Sequence, residues 1–368
     1  MKTKGWLTKV KKIDWGILIF TAILVTFGLS IIYSIGLHGE KTDLSVFYKQ
    51  LAAVGIGVAI LMGALFFDYR FLQPLSWIAC ILGLLLLASV LLFGITIRGT
   101  TGWLNLGFTT VQPVELAKVF LIVTLAAWLT KCGGSLERWQ NLVISALIVF
   151  AYTGLVLLQP DLGSAMVFVG VWVMSLFVTR TPNLYRIGII VLSIIFAVSS
   201  WFFLSGFQKD RIRVFLDPGA DPLGIGYNVT QSIISVGSGR WFGRGLGLGP
   251  QSQLNFLPEQ ETDFIFAVIA EEMGLIGASV LLLSFGLLWF MIWRRARKTS
   301  DLFGMYVLTL GLFQFFIQTF VNIGMNMGIS PVTGIPLPFI SSGGSSMIAS
   351  LLLVGLFEGI ALRNSEKS

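Results

Sequence analysis

Five carboxylates crowd the run LPEQETDFIFAVIAEEMG: Glu259, Glu261, Asp263, Glu271 and Glu272. An acid at such a junction can take up a proton, relay one or hold a metal ion, and residue type alone leaves all three chemistries open. Asp263 and Glu271 are eight positions apart, so on one helix they share a face yet stand about 12 Å apart along its axis. They are therefore not a close pair dividing the roles of acid and base. Asp161, in the run QPDLGSA, is a second isolated carboxylate. Its simplest reading is a helix N-cap, since aspartate there accepts free amide protons and complements the helix dipole.

Other polar groups stand where lipid would make them costly. Glu115 and Lys118 are three apart in a strongly apolar stretch, a spacing that suits a partly neutralised ion pair, with a packing role and a substrate-facing role both open. Gln314, Gln318, Asn322 and Asn326 recur every four residues and draw one slowly drifting stripe along a helix. The glutamines suit hydrogen bonding to neighbouring helices; the asparagines stand next to a proline- and serine-rich segment and are expected to share its cavity. An anionic lipid would need cations, and Arg98, Lys118, Arg211, Arg213, Arg240 and Arg244 are available. The glycine-rich run 237–249 would let backbone approach such a ligand.

The elements that must position these groups are membrane helices. Of 368 residues, 55% are hydrophobic and only 12% charged, and the mean hydropathy is +0.85, far from a soluble domain. Apolar stretches near 15–35, 48–67, 76–94, 114–129, 141–158, 162–179, 187–204, 264–293, 304–326 and 344–362 approach or reach the roughly 20 residues that cross a bilayer. The expected fold is an all-α polytopic membrane protein of about ten spans, one integral unit over residues 1–368. The first stretch follows five lysines without a small-residue cleavage site, and so reads as an anchor.

Lysines and arginines concentrate in alternate loops, which places both termini in the cytoplasm. The net charge of +7 then belongs to topology, and no nucleic-acid partner is expected. Two loops on the external side are long: 95–113, rich in Gly and Thr, and 205–262, between the seventh and eighth spans. The second carries enough Phe, Trp, Leu and Ile to form short helices on the membrane surface. Ile329–Ser346, with Pro331, Pro336 and Pro338 before a serine and glycine run, is expected as a broken element whose freed backbone lines a polar cavity. Cys80 and Cys132 imply neither a disulfide nor a metal site, and His38 has no cluster around it.

Six runs, GWLNLG at 102–107, QPVELAK at 112–118, QPDLGSA at 159–165, DPLGIGYNVTQSIISVGSG at 221–239, QLNFLPEQETDFIFAVIAEEMG at 253–274 and GIPLPFISSGGSS at 334–346, resemble the SEDS family of cell-wall polymerases. Its members include RodA of cell elongation and FtsW of division, and the runs QSQLNFLPEQ and NIGMNMGISPVTGIPLPF look more like RodA. The resemblance implies a glycosyltransferase that joins lipid II into β-1,4-linked glycan at the outer face of the cytoplasmic membrane, releasing undecaprenyl pyrophosphate. It implies Asp263 as the catalytic carboxylate. Trp103, Glu115, Lys118, Asp161, Glu259, Ser341, Ser342 and Ser345 lie in the matching runs, and together with Arg98 and Arg213 from the cations above they are the expected substrate-binding residues. The resemblance also implies a class B penicillin-binding protein as partner, alongside other elongation-complex proteins and membrane lipid. A divalent cation, Mg or Mn, is compatible with it, and no metal ligands are assigned. Val114 and Ser342 stand where the family has other residues.

Two other readings compete. A lipid II flippase would also need polar groups inside a ten-helix bundle, but would move lipid without forming a bond. A non-enzymatic scaffold would use those groups for packing alone, and would keep its function with Asp263→Asn. Within the polymerase reading, an FtsW-like division enzyme is the alternative to elongation.

Overall fold

The computed structural model describes residues 13–37, 42–97, 99–105, 107, 110–200, 202, 206–217, 219, 221–222, 224–254 and 256–364. Its helices are α1 (Trp15–Gly36), α2 (Ser45–Phe66), α3 (Ser76–Phe93), α4 (Pro113–Lys131), α5 (Trp139–Leu157), α6 (Leu162–Val178), α7 (Asn183–Ser200), α8 (Gly206–Leu216), α9 (Ile225–Ser238), α10 (Pro250–Gln253), α11 (Ile265–Lys298), α12 (Leu302–Asn326) and α13 (Gly344–Asn364). Each of the ten expected apolar stretches is a helix. Eight have the length and hydropathy of a bilayer span, and α6 and the Asn183–Ile195 part of α7 are shorter apolar helices. Local chemistry sets several starts. Pro113 begins α4, where a missing amide proton costs nothing. Asp161 and Asp301 cap α6 and α12 by accepting the amides of Ser164 and Gly304, each at 2.9 Å.

Burial separates a centre from a rim. In α4 and α13, 78% and 83% of the most apolar window is buried, against 22–33% in α1, α2, α3 and α5. The outward side chains of the rim helices, such as Leu85, Leu92 and Leu147, are more than half exposed, as befits helices whose solvent is hydrocarbon. The main packing partners are α2 with α13, α3 with α4, α5 with α6, and α11 with both α12 and α1.

Segment 95–113, expected as a long external loop, holds a small antiparallel sheet. β1 (Ile95–Ile97), β2 (Thr100–Asn105) and β3 (Thr110–Val111) pair in the register Ile95 with Trp103, Ile97 with Thr100, and Leu104 with Val111. Its β-branched residues favour a pleated surface, and the sheet rests on α3 and α4. Segment 205–262 carries the short helices α8, α9 and α10. Residues 327–343 form no helix, and the chain re-enters regular structure at Gly344, so the proline-rich run is a broken element, as expected.

One span is interrupted. Gly274 in α11 has φ 63° and ψ −162°, and around it the carbonyls of Glu271 and Glu272 accept the amides of Arg244 and Gly245, each at 2.9 Å. The amides of Leu275 and Ile276 turn instead to the carbonyls of Arg240 and Trp241, at 2.8 and 3.1 Å. The glycine-rich run therefore plugs a gap in a helix and is not free to cradle a ligand. Gly243 is needed there, since a Cβ on it would fall 2.1 Å from the Glu272 carbonyl oxygen.

Candidate active site

Asp263 sits in the turn that leads into α11, and neighbouring elements fix its backbone. The carbonyl of Glu259, itself at φ 57°, accepts the amides of Thr262, Asp263 and Phe264 at 3.1–3.2 Å. From α12, Asn322 and Asn326 donate to the Asp263 carbonyl at 3.2 and 2.9 Å. Asn322 also donates to Ile335 O at 2.8 Å, and Asn326 accepts the Ala267 amide at 3.0 Å. Both asparagines are fully buried. They were expected to line a cavity; they are the frame that aims Asp263 into it.

That cavity is walled by Trp103 and Thr100 of β2, Gln112 before α4, Asp161 before α6, Arg211 of α8, Thr262 and Asp263, and the coil from Thr333 to Ser346. Six separate stretches of chain converge there. Asp161 serves as the cap of α6 and as part of the wall. Burial pushes the Arg211 guanidinium below the usual arginine range, and Asp263 and then Asp161 offset part of that fall. Arg211 is thus the cation these two carboxylates share. Gly334, at φ 74°, lies among them: a Cβ there would stand 3.7 Å from Asp263 Oδ2 and 4.0 Å from both terminal nitrogens of Arg211. A side chain would enter the cavity.

The serine segment is tied to the aspartate turn. Ser342 donates its amide to Glu261 O at 2.7 Å, and Ser341 Oγ donates to Thr262 O at 2.6 Å while accepting the Leu337 amide at 2.9 Å. Gln50, buried in α2, clamps the same run, donating to Ser341 O at 3.2 Å and accepting from Gly343 N at 3.0 Å. Ser345 Oγ accepts the Gln112 amide at 2.9 Å. Arg211 was one of six cations offered by the sequence and was not set apart from the others, and Gln50 was not singled out at all; an amide inside the apolar stretch 48–67 was its available signal.

Of the residues singled out from sequence, Trp103, Asp161, Asp263, Ser342 and Ser345 meet at the cavity. Ser341 is buried beneath it, and Glu259 shapes the turn without lining the space. Glu115 and Lys118 pair at 2.8 Å with 2% and 1% exposure, inside α4 and away from the wall. Arg213 points elsewhere, 60% exposed and paired with Asp210 at 3.3 Å; Arg211 stands where Arg213 was expected. Arg98 lies outside the described residues, as does His38. Glu271 caps α10 by accepting the amides of Gln251 and Ser252 at 2.8 and 3.1 Å, and Glu272 accepts from Ser34 Oγ at 2.7 Å.

Among the described residues no three of His, Cys, Asp and Glu gather into a metal set. The cavity offers two carboxylates, Asp161 and Asp263, a set that fits a magnesium-like ion only when substrate phosphates complete the shell.

Fold and cavity together define a polytopic helical membrane protein with an acid–arginine site at one end of its bundle. The chain belongs to the FtsW/RodA/SpoVE family of cell cycle proteins, which matches residues 12–366. It is 38% identical over 354 residues to the peptidoglycan glycosyltransferase MrdB of Escherichia coli strain K12, covering 94% of this chain and 92% of that one. To stage V sporulation protein E of Bacillus subtilis strain 168 it is 35% identical over 363 residues, covering 96% and 98%. Among solved structures, a chain from a peptidoglycan synthase complex that coordinates polymerization and crosslinking superposes with a TM-score of 0.81 at 30% identity, covering 96% and 98%. The rod shape determining protein RodA of Thermus thermophilus gives 0.73 at 30% identity, covering 96% and 97%.

Proposed function

We propose that this chain, as one integral unit, is a peptidoglycan glycosyltransferase that polymerises lipid II at the outer face of the cytoplasmic membrane. The observation that carries the reading is the placement of Asp263, framed by two buried asparagines and facing a cavity shared with Arg211 and Asp161. Asp263 accepts the proton of the acceptor's GlcNAc 4-hydroxyl as that oxygen attacks the donor's anomeric carbon, and undecaprenyl pyrophosphate leaves. A positioned base of this kind contributes about a hundred- to ten-thousand-fold in rate. Direct displacement converts an α-linked diphosphate into a β-glycoside, so the centre inverts and no sugar is carried on the enzyme. Arg211 stabilises the charge of the departing diphosphate.

The loop charges support cytoplasmic termini and a cavity opening away from the cytoplasm. The RodA-like runs at 251–260 and 322–339 favour a role in elongation, with a class B penicillin-binding protein as partner and other elongation-complex proteins beside it. The test is glycan formation from labelled lipid II by the purified chain with that partner, resolved on a denaturing gel. Polymer from wild type and none from Asp263→Asn is expected. Polymer from both would remove Asp263 from the reaction; polymer from neither, with lipid II still moving across vesicles, would favour a flippase.

A further inference from the structure

Arg211 borders two spaces. One is the polar cavity of Asp263; the other is a small, mainly apolar groove walled by Phe215 of α8, Val229 and Ile233 of α9, and Ser330, Pro331 and Val332 of the broken segment. The groove opens outward at Ile233, which is 43% exposed, whereas Val229 is 6% exposed at its inner side. Gly328, at φ 70°, keeps it clear, because a Cβ there would fall 2.8 Å from Ile233 Cδ1. A polar cavity with carboxylates, a guanidinium at the border and a mainly apolar groove beyond it match an amphiphile with an anionic head and an apolar tail.

We infer that Arg211 marks the point where the donor lipid divides: its diphosphate lies against Arg211, and its first isoprene unit lies along the outward-opening groove formed by Phe215, Val229, Ile233 and Val332. This rests on the glycosyltransferase reading and assigns the donor to the α8–α9 side of the cavity. The acceptor sugar then enters from the side of Trp103. Continuity between groove and cavity through one shared cation is what selects an isoprenoid diphosphate over a neutral lipid.

The full chain in nanodiscs is photolabelled with farnesyl pyrophosphate carrying a diazirine on its terminal isoprene, and the adducts are mapped by mass spectrometry. Adducts are expected within 225–233 and 328–332, competed by inorganic pyrophosphate. Ile233→Trp, which fills the groove, is expected to cut labelling about tenfold. Ile234→Trp, on the same helix and similarly exposed but outside the groove, leaves it unchanged. Arg211→Gln weakens probe affinity about tenfold, the loss of one charge-assisted contact, and Arg211→Lys recovers part of it. Adducts on α2 or α3, equal labelling of Ile233→Trp and wild type, or displacement by phosphatidylglycerol vesicles without competition by pyrophosphate would each overturn the assignment. The labelling needs no polymerisation. Intact labelling with no glycan product would count against the glycosyltransferase reading and leave the site standing; glycan product without labelling here would do the reverse.

Discussion

The side chain of Asn326 holds the backbone of Asp263 from a different helix, donating to its carbonyl at 2.9 Å and accepting the amide of Ala267 at 3.0 Å. Truncation to alanine removes two buried hydrogen bonds at about 0.5–1.5 kcal/mol each, leaving the Asp263 carbonyl to Asn322 and the Ala267 amide to Phe264 O, and loosens the turn that aims the carboxylate. Asn326→Ala is expected to lower the melting temperature and to reduce turnover about a hundredfold, the penalty of a misplacement near 1 Å, with little change in KM. Steady-state glycan formation at varied lipid II checks this; normal turnover would mean that Asn322 and the Glu259 turn suffice to position Asp263.

The Glu115–Lys118 pair is closed off from water. Removing one partner leaves an uncompensated buried charge and is expected to cost about 3–5 kcal/mol. The double variant Glu115→Gln/Lys118→Met should regain most of the lost stability in thermal unfolding, and activity with it. A stable but inactive double variant would show that the pair serves the substrate and not the bundle.

Two arginines on one short helix should behave in opposite ways. Arg213 sits in an exposed pair with Asp210, an arrangement worth about 0–1 kcal/mol, so Arg213→Gln should keep glycan synthesis within about twofold of wild type. Arg211→Gln should lose at least about tenfold in the same assay. Equal effects would mean that α8 docks with another face toward Asp263.

Burial raises the thiol pKa of Cys132, just beyond the end of α4, while Lys131 lowers it again. Below that pKa the reactive thiolate fraction rises about tenfold per pH unit. In a Cys80→Ala background, labelling by a membrane-impermeant maleimide should be slow at pH 7 and markedly faster at pH 8, and confined to inside-out vesicles. Labelling from the opposite side would invert the topology drawn from the lysines and arginines.

Spans were readable from sequence because lipid rewards apolar length directly, and the observed helices coincide with the ten stretches. The site was readable only in part. Asp263 stood out as an acid at a span boundary, but Arg211 and Arg213 differ by two positions and occupy different faces of α8. Which face turns inward depends on how that short helix docks, and no periodicity records it. Asn322 and Asn326 looked like wall and proved to be frame, since an amide in a membrane interior is equally suited to either task. The sheet at 95–111 was missed because three strands of two to six residues interrupted by glycine read as loop. The glycine run 237–249 suggested ligand contact, yet its small size serves the approach to a broken helix.

That break at Gly274 bears on how the enzyme tolerates its surroundings. Membranes differ in hydrocarbon thickness, and a span longer or shorter than the local bilayer answers by tilting. In an unbroken α11, tilt of the lower segment would be passed along a continuous hydrogen-bond ladder to the turn that carries Asp263. Here the rungs at Glu271 and Glu272 are supplied from outside the helix by Arg244 and Gly245, so the upper segment moves with the glycine loop and α12. The amides of Leu275 and Ile276 end on the same loop, at Arg240 and Trp241, so tilt of Leu275–Lys298 in a thicker or thinner bilayer reaches the Asp263 turn by way of the glycine loop and not along a helical ladder.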